Sequence, residues 1–432
     1  MNLTINLSKV ELKMSKDAVT GKMGLSWLTH AMKDFGVNKM ISDEYEKKSN
    51  RETDYFNKIM SAVMTRAAGG DRVEDVENLR VDGGLLESLG WDEIMSADTY
   101  LNLIKDKRTN AKLRCVNNRM IIKALRGLGE EDLTYDNDAT YFDSKKESAE
   151  YSYQKRKQFS GLTGCIAELG MINTVDFRRG NVSPQAGIMN QLRKTVAQAK
   201  AAGKKIKRFR SDSAAYRMDV MTYCDINEIN YFISADKDEA VRRTIEGIKA
   251  TQWRMLEDKY AKNENTKWAQ TRHVMNKGFT IRMLVLRWPN PDPDLFDASP
   301  YCYHAIVTND LEIEPMAWLK KHNGRMGTIE HSHEEIKNGL GCDYTPSHDF
   351  EKNRGYFLIG ILAYNMVEIL KRFYMGASTI NWKIKTIRYQ FINVCGKIVK
   401  SGRKFYCKII NVTDEVFELY QNCKSKFNCY AY

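Results

Sequence analysis

The sequence lacks the cysteine and histidine spacings that build disulfide frameworks and zinc sites. Its nine cysteines, an odd number, are scattered without a Cys-x-x-Cys pair, so we expect reduced thiols. The seven histidines show no known zinc spacing. His331 and His333 would project about 200° apart on a helix, too far to bind one ion. These absences argue against a disulfide-rich secreted scaffold and against a zinc site.

Long apolar runs are also missing. No stretch of roughly 18 apolar residues occurs, and the first twenty residues contain no apolar core of a signal peptide. We therefore expect a cytoplasmic protein without a membrane partner.

Acidic residues are fewer than basic ones, 55 against 67, which gives a formal net charge of +12. In a chain of this length, a basic balance indicates a polyanionic partner only weakly. Residues 371–408 are more informative, because they contain ten Lys and Arg, no Asp or Glu, and several interleaved aromatic residues. Two interpretations carry about equal weight, a solvated edge strand kept soluble by lysine and a nucleic-acid contact surface.

The pattern of apolar residues changes near residue 131. Before it, from about residue 23, apolar residues recur at three- and four-residue spacing, which is typical of helices. After it, strand and helix patterns follow in the order β-β-β-α-β-α-β, which favours an α/β fold with a ribonuclease H-like core. Strand-like runs around the loop 289–294 indicate a β-rich insertion, and the tail contains a hairpin predicted to turn at Ser401-Gly402. The predicted segments are an all-α N-terminal domain (1–130), the first part of the core (131–236), the β-rich insertion (237–322), the second part of the core (323–376) and a basic C-terminal region (377–432).

Three acids lie on three predicted elements of this core. Alternation along "YDNDATY" puts Asp136 and Asp138 on one face of a strand, and Asp212 ends a later strand after the basic run "KKIKRFR". Glu330 lies on a helix that follows the insertion. Each acid alone has a plainer interpretation: a strand-end acid, a helix N-cap at Asp212, and a solvated helix residue.

If the three acids meet in the fold, their carboxylates repel one another unless a cation is bound. Two carboxylates about 4 Å apart repel by about 4 kcal/mol at an effective dielectric constant of ~20. Two hard cations held by carboxylate oxygens ~3.5–4 Å apart activate water and stabilise the leaving oxygen of a phosphodiester. On the same helix, His333, Glu334 and Lys337 would share a stripe with Glu330, so Glu334 is the reserve for Glu330.

Several segments of the sequence resemble a known protein family. The segments "DNDAT", "FRSDS" and "GTIEHSHEEIKNGLG", followed by "GILAYN", resemble the three signature regions of bacterial insertion-sequence transposases with a group 1 DDE domain. The segments "GDRVEDVENLRVDGGLLESLG" and "SADTYLNL" are similar to the N-terminal region of that group, so the resemblance covers most of the chain. It implies that Asp138, Asp212 and Glu330 are catalytic and bind two Mg²⁺ or Mn²⁺ ions.

The resemblance also implies a reaction and partners. The expected activity is cut-and-paste transposition: metal-dependent hydrolysis at transposon ends, then strand transfer into target double-stranded DNA. The expected protein is a nucleoid-associated homodimer on DNA, with the helical N-terminal domain used for DNA binding and assembly. The predicted DNA-binding residues are Arg210, Trp288, Arg325, Lys337, Lys397, Lys400, Arg403 and Lys404.

Two positions depart from the family pattern, because Asn323 and Met326 stand where Tyr and Arg are expected, with Arg325 adjacent. This keeps open a catalytically inactive DNA-binding protein that retains the fold, and a stand-alone ribonuclease H-like DNA nuclease. Related enzymes stack an insertion-domain tryptophan on a flipped base, and Trp268 and Trp288 are the candidates here. A tryptophan in a β-rich segment is nevertheless in the core about three times as often.

Overall fold

The computed structural model describes residues 8, 10–11, 13, 17–45, 54–257, 259–275, 278–291 and 299–430. Part of the predicted loop 289–294 therefore lies outside the described residues. Among the described residues, no helix is both long enough and apolar enough to cross a membrane.

The N-terminal part is helical, as its apolar spacing predicts. Its helices start at side-chain caps where the chain supplies them: Asp54, Asp82, Ser96 and Asp106 each accept a backbone N–H of the first turn. The helices are Met23–Asp34 (α1), Val37–Glu44 (α2), Tyr55–Ala68 (α3), Glu77–Arg80 (α4), Gly83–Leu89 (α5), Ala97–Leu103 (α6) and Lys107–Arg126 (α7).

The core is a mixed sheet in which antiparallel strands precede parallel ones. The first three long strands, Asp132–Asp143 (β1), Lys157–Ile166 (β3) and Met171–Arg179 (β4), pair antiparallel in the order β4-β3-β1. The next two, Lys205–Ser211 (β5) and Asn230–Ser234 (β6), lie parallel to β1 on its other side. This topology confirms the predicted ribonuclease H-like α/β core. Its elements are Asp132–Asp143 (β1), Glu150–Tyr151 (β2), Lys157–Ile166 (β3), Met171–Arg179 (β4), Ile188–Ala201 (α8), Lys205–Ser211 (β5), Met218–Ile226 (α9) and Asn230–Ser234 (β6).

The insertion extends this sheet. Its last strand, Tyr301–Thr308 (β10), pairs antiparallel with β6 through Ile306 and Val307. Thr280–Pro289 (β9), Lys267–Val274 (β8) and Arg254–Met255 (β7) then follow outward in that order. The core and the insertion therefore share one ten-stranded sheet in the described part of the chain. The elements are Glu239–Glu246 (α10), Arg254–Met255 (β7), Lys267–Val274 (β8), Thr280–Pro289 (β9), Tyr301–Thr308 (β10) and Pro315–Asn323 (α11).

Two helices follow the insertion and pack on one face of the core sheet. Ile329–Glu334 (α12) continues into a π-helical turn, and Phe350–Ile369 (α13) is buried without interruption over residues 355–369. Gly161 on β3 permits the close approach of α13, because a Cβ there would lie 2.9 Å from the Phe357 ring. Helix α8 covers the other face, where Gln191 hydrogen-bonds to Asn137 at 2.8 Å.

The C-terminal region holds a short helix, a two-stranded hairpin and a final helix. The hairpin turns at Gly402-Arg403, one residue later than predicted, because Ser401 pairs with Lys404 and Gly402 takes the left-handed conformation (φ +61°). The elements are Ile384–Ile387 (α14), Gly396–Ser401 (β11), Lys404–Ile409 (β12) and Asp414–Lys426 (α15).

Candidate active site

Asp138 and Asp212 lie at the same edge of the sheet. Strands β1 and β5 are parallel neighbours whose last paired positions are Asn137 and Ser211, and each acid follows directly after one of these. The register therefore places the two acids next to each other in neighbouring strands, close enough for the charge of Asp138 to act on Asp212.

Asp212 is also a cap. Its Oδ1 accepts the backbone N–H of Ala214 at 3.0 Å and closes the 3₁₀ turn Ser213–Ala215. The turn does not continue directly into a helix, since α9 begins only at Met218. The cap uses one carboxylate oxygen, so it does not by itself exclude a metal-binding role for this residue.

Asp138 is held by two contacts. Its Oδ1 accepts the backbone N–H of Ala139 at 2.8 Å, and its Oδ2 lies 3.2 Å from Nη2 of Arg325. The Asp138 side chain is 18% exposed and that of Arg325 is 8% exposed. Arg325 precedes α12 in the 3₁₀ turn Gly324–Gly327, so this ion pair joins the acid strand to the turn that leads into the Glu330 helix.

Both aspartates are harder to ionise than free aspartate. Burial raises the pKa of Asp138, against the opposing effect of Arg325. Burial also raises the pKa of Asp212, and the negative charge of Asp138 raises it further. A bound cation would stabilise both charged forms, and carboxylate oxygens are the ligands that Mg²⁺ prefers. Asp138 and Asp212 thus fit a hard divalent cation.

Asp136, two residues before Asp138, is neutralised inside the protein. It is fully buried, and Arg210 contacts both of its carboxylate oxygens, at 2.5 Å through Nε and at 2.7 Å through Nη2. Arg210 also donates to the Lys321 carbonyl and to Thr328 Oγ1, and Thr328 donates to Asp136. This placement differs from the predicted DNA contact of Arg210, because its guanidinium is buried and hydrogen-bonded within the fold.

Glu330 lies apart from the aspartates' ion pairs. The stripe of α12 and its π-helical continuation that faces the sheet consists of Ile329, Ser332, His333 and Ile336. Glu330 is one position away from it and exposed, while the reserve acid Glu334 is exposed and pairs with Lys383 at 2.7 Å. In the described part of the chain, no three acid, His or Cys side chains are grouped to hold a metal ion. The role of Glu330 as third ligand therefore stays a prediction.

Lys337 lies beside the acid edge. Its Nζ is 5.2 Å from the centre of the Phe142 ring, and it lines a polar cavity of about 480 Å³ with Asp143 and Asp343. Burial lowers its pKa, against the charges of these acids and of Asp138. Its predicted contact with DNA stays a prediction.

Two buried histidines, His322 and His333, and the half-buried His304 feel the charge of Arg325, and this set was not predicted. His322 lies between Ser234 (3.1 Å) and Asn323 (3.2 Å), with the His304 ring 5.7 Å away. Burial, with the charge of Arg325 as a further cause, lowers the pKa of His322 to about 3 and that of His304 to about 4. On α12, His333 bonds Thr163 at 2.6 Å and burial lowers its pKa to about 3. All three rings are therefore neutral at pH 7. The three residues are far apart in sequence, so no local pattern indicated their shared position near Arg325.

A cavity of about 1000 Å³ opens between the insertion strands and α10. Trp288 is half-buried in its wall, which also includes Tyr301, Tyr303, several lysines, Asn323 and Met326. Trp268 lies under the Arg254 guanidinium, 5.4 Å from its ring centre. Of the two tryptophan candidates, Trp288 has the accessible wall position.

The four predicted C-terminal cations lie on the hairpin. Arg403, Lys404 and Lys400 are exposed, and Lys397 is half-buried opposite Lys408. Like charges directly across a strand pair are destabilising, so this hairpin is not arranged for stability alone. Phe405 adds an exposed ring. The arrangement is compatible with both interpretations of the basic segment.

A family model described as the group 1 transposase DDE domain matches residues 4–423. The chain therefore belongs to the group 1 family of DDE-domain transposases. No curated protein matches it. Among solved structures, it is similar to the cryo-EM structure of the piggyBac transposase synaptic complex with hairpin DNA, with 12% identity and a TM-score of 0.43 over 94% of this chain and 80% of that chain.

Proposed function

We propose that the chain is a cut-and-paste DNA transposase encoded by a bacterial insertion sequence. It hydrolyses phosphodiesters at transposon ends and then joins the freed 3′ hydroxyl to target DNA. The observation that carries the proposal is the pair of strand-end aspartates, Asp138 and Asp212, in a chain of the DDE-domain transposase family.

Asp138, Asp212 and Glu330 would hold two Mg²⁺ or Mn²⁺ ions. These ions, when bound, would supply activation of the attacking oxygen and stabilisation of the leaving oxygen. The chain's own contribution is position: β1 and β5 fix the two aspartates in register, and the buried Arg210–Asp136 pair locks those strands together.

DNA would reach this edge along basic and aromatic side chains. Lys337 lies against Phe142 on the acid-bearing strand, and the hairpin cations Lys397, Lys400, Arg403 and Lys404 would contact phosphates without reading sequence. Trp288 would stack on a base turned out into the insertion cavity. The DNA partners are transposon ends and target duplex, bound by a homodimer in the nucleoid.

The test uses the full chain, Mg²⁺ and a linear duplex containing the sequences that flank its coding region on both sides. The proposal predicts cuts at two defined ends and joining of the released fragment to a target plasmid. Cutting at undefined positions without joining would instead identify a stand-alone nuclease.

Binding without any cutting would identify an inactive DNA-binding protein. Two observations favour the inactive DNA-binding protein as the second candidate function. Asn323 and Met326 depart from the family pattern, and the adjacent Arg325 is paired with Asp138. EDTA supplies the matched control, since it should stop cutting and joining if the activity depends on the metal ions.

A further inference from the structure

We propose that Arg325 is an internal counter-ion of the acid pair, which a divalent cation must displace from Asp138 when it binds. The inference rests on the proposed function insofar as that function places a cation at Asp138 and Asp212. It adds a role for Arg325 before DNA arrives: competition with the metal ion.

The position of Arg325 carries the first step. Its Nη2 lies 3.2 Å from Oδ2 of Asp138, so the guanidinium already contacts one of the two carboxylate oxygens that a cation would bind. Its charge acts on Asp212 as well as on Asp138. One positive charge therefore faces two negative charges, and the acid pair retains an attraction for a cation.

The second step is the contrast with Arg210, which makes the neighbouring ion pair. Arg210 contacts both oxygens of Asp136 and donates further to Lys321 and Thr328. Among the described residues, the contact with Asp138 is the one polar contact of the Arg325 guanidinium, and its buried Nε has no hydrogen-bond partner. Arg325 is therefore held less firmly than Arg210.

The third step is the location of Arg325 in the chain. It belongs to the short turn between α11 and α12, five residues before Glu330. Because this turn belongs to no strand, rotation of the Arg325 side chain would withdraw the guanidinium without breaking a strand pair. A released Arg325 lies next to the acids, where a DNA phosphate would replace the carboxylate as its partner.

The test is a titration of the DNA-free full-length protein with Mn²⁺ alone, followed by electron paramagnetic resonance. Arg325→Gln removes the competitor and should tighten Mn²⁺ binding about tenfold, because the ion no longer has to break an ion pair. Arg325→Lys keeps the charge and should stay within about threefold of the unchanged protein. Equal or weaker Mn²⁺ binding by Arg325→Gln would overturn the proposal.

A matched control is Arg156→Gln. Arg156 lies 3.6 Å from Asp143 and both side chains are exposed, so this variant removes one positive charge from the same region without touching the acid pair. Its Mn²⁺ affinity should be unchanged. A tenfold gain in this control would mean that overall charge, and not Arg325, sets the affinity.

Thermal unfolding keeps the proposal testable if Arg325→Gln is unstable. A ligand that binds only the folded state raises the melting temperature by an amount that grows with its affinity. Mn²⁺ should therefore raise the melting temperature of Arg325→Gln more than that of the unchanged protein. A smaller or equal rise would assign Arg325 a purely structural role and overturn the proposal.

The double variant Arg325→Gln with Asp138→Asn locates the effect. Measured against Asp138→Asn alone, it should gain less Mn²⁺ affinity than Arg325→Gln gains over the unchanged protein, since the carboxylate in direct contact with Arg325 is gone; an equal gain would overturn the proposal. None of these measurements contains DNA. A chain that fails to cut DNA would thus contradict the proposed transposition and leave the Arg325 result standing.

Discussion

The acid edge and the C-terminal hairpin use charge in opposite ways. At the edge, Asp136 and Asp138 each face a buried arginine, and the nearby histidines are held neutral. On the hairpin, Arg403 and Lys404 are exposed, and Lys397 stands across from a second lysine.

The buried ion pairs of the edge position side chains, whereas the exposed cations of the hairpin can attract DNA. A buried, hydrogen-bonded pair fixes geometry, because breaking it leaves an uncompensated charge in a poorly solvated site. An exposed cation contributes little to the geometry of the fold, but its binding to a DNA phosphate releases counterions from the DNA. We therefore expect substitutions at the edge to change chemistry or stability, and substitutions on the hairpin to change only DNA affinity.

The largest expected effect is loss of cleavage at the acid edge. Asp138→Asn and Glu330→Gln should each reduce the rate of DNA cleavage in Mg²⁺ by at least about 100-fold, since even the outer partners of metal ligands typically cost 10–100-fold. DNA affinity and the melting temperature serve as controls and should change little. Near-normal cleavage by Glu330→Gln would show that Glu330 is not a catalytic residue, and Glu334 would become the candidate third acid.

The next effect is on stability. Arg210→Met should lower the free energy of unfolding by about 3–5 kcal/mol, because it leaves Asp136 buried and unpaired. Its matched control is Arg403→Met on the hairpin, where an exposed side chain should cost within about 0.5 kcal/mol. Denaturant unfolding measures both. Similar values for the two variants would break the distinction between the regions.

This contrast also marks what the sequence can and cannot predict. Period-two alternation and strand order located Asp138 and Asp212 at one edge, because side-chain direction and register follow from local pattern. The partners of the arginines could not be predicted. Arg210 and Asp136 are 74 residues apart, and a basic residue in a strand has the same pattern whether it faces DNA or a buried carboxylate.

Glu330 shows a second limit. Helical spacing correctly places α12 after the insertion, but a rotation of one residue decides whether Ile329 or Glu330 faces the sheet. That rotation is set by packing against β3 and α13, which a local pattern does not contain.

The third effect concerns the hairpin. Changing Lys397, Lys400, Arg403 and Lys404 to Gln should reduce the slope of log affinity against log salt concentration by up to about 0.9 for each phosphate that the hairpin no longer neutralises. Lys194→Gln with Lys200→Gln, two exposed positions on α8, is the control and should leave the slope unchanged. An unchanged slope in the hairpin variant would mean that the hairpin is only a soluble edge.

A further effect is a dependence of stability on pH at the edge. An unfolded histidine takes up a proton near pH 6.5, whereas His322 and His333 stay neutral in the folded protein down to about pH 3. The unfolded state therefore binds more protons below pH 6.5, and stability should fall as the pH drops from 6.5 to 4. The slope is up to about 1.4 kcal/mol per pH unit for each histidine. His322→Gln should flatten the curve of unfolding free energy against pH, and an unaltered curve would contradict the assignment.

The most direct test of the central claim is the cleavage rate of Asp212→Ser. Serine caps a turn about as well as aspartate, so the bond to Ala214 and the melting temperature should be kept, and removing a carboxylate disfavoured by burial relieves repulsion at the edge. A neutral hydroxyl is nevertheless a poor ligand for Mg²⁺. The account predicts a folded protein that binds DNA and no longer cuts it. An Asp212→Ser protein that cuts DNA at the normal rate would reduce Asp212 to a cap and contradict the account.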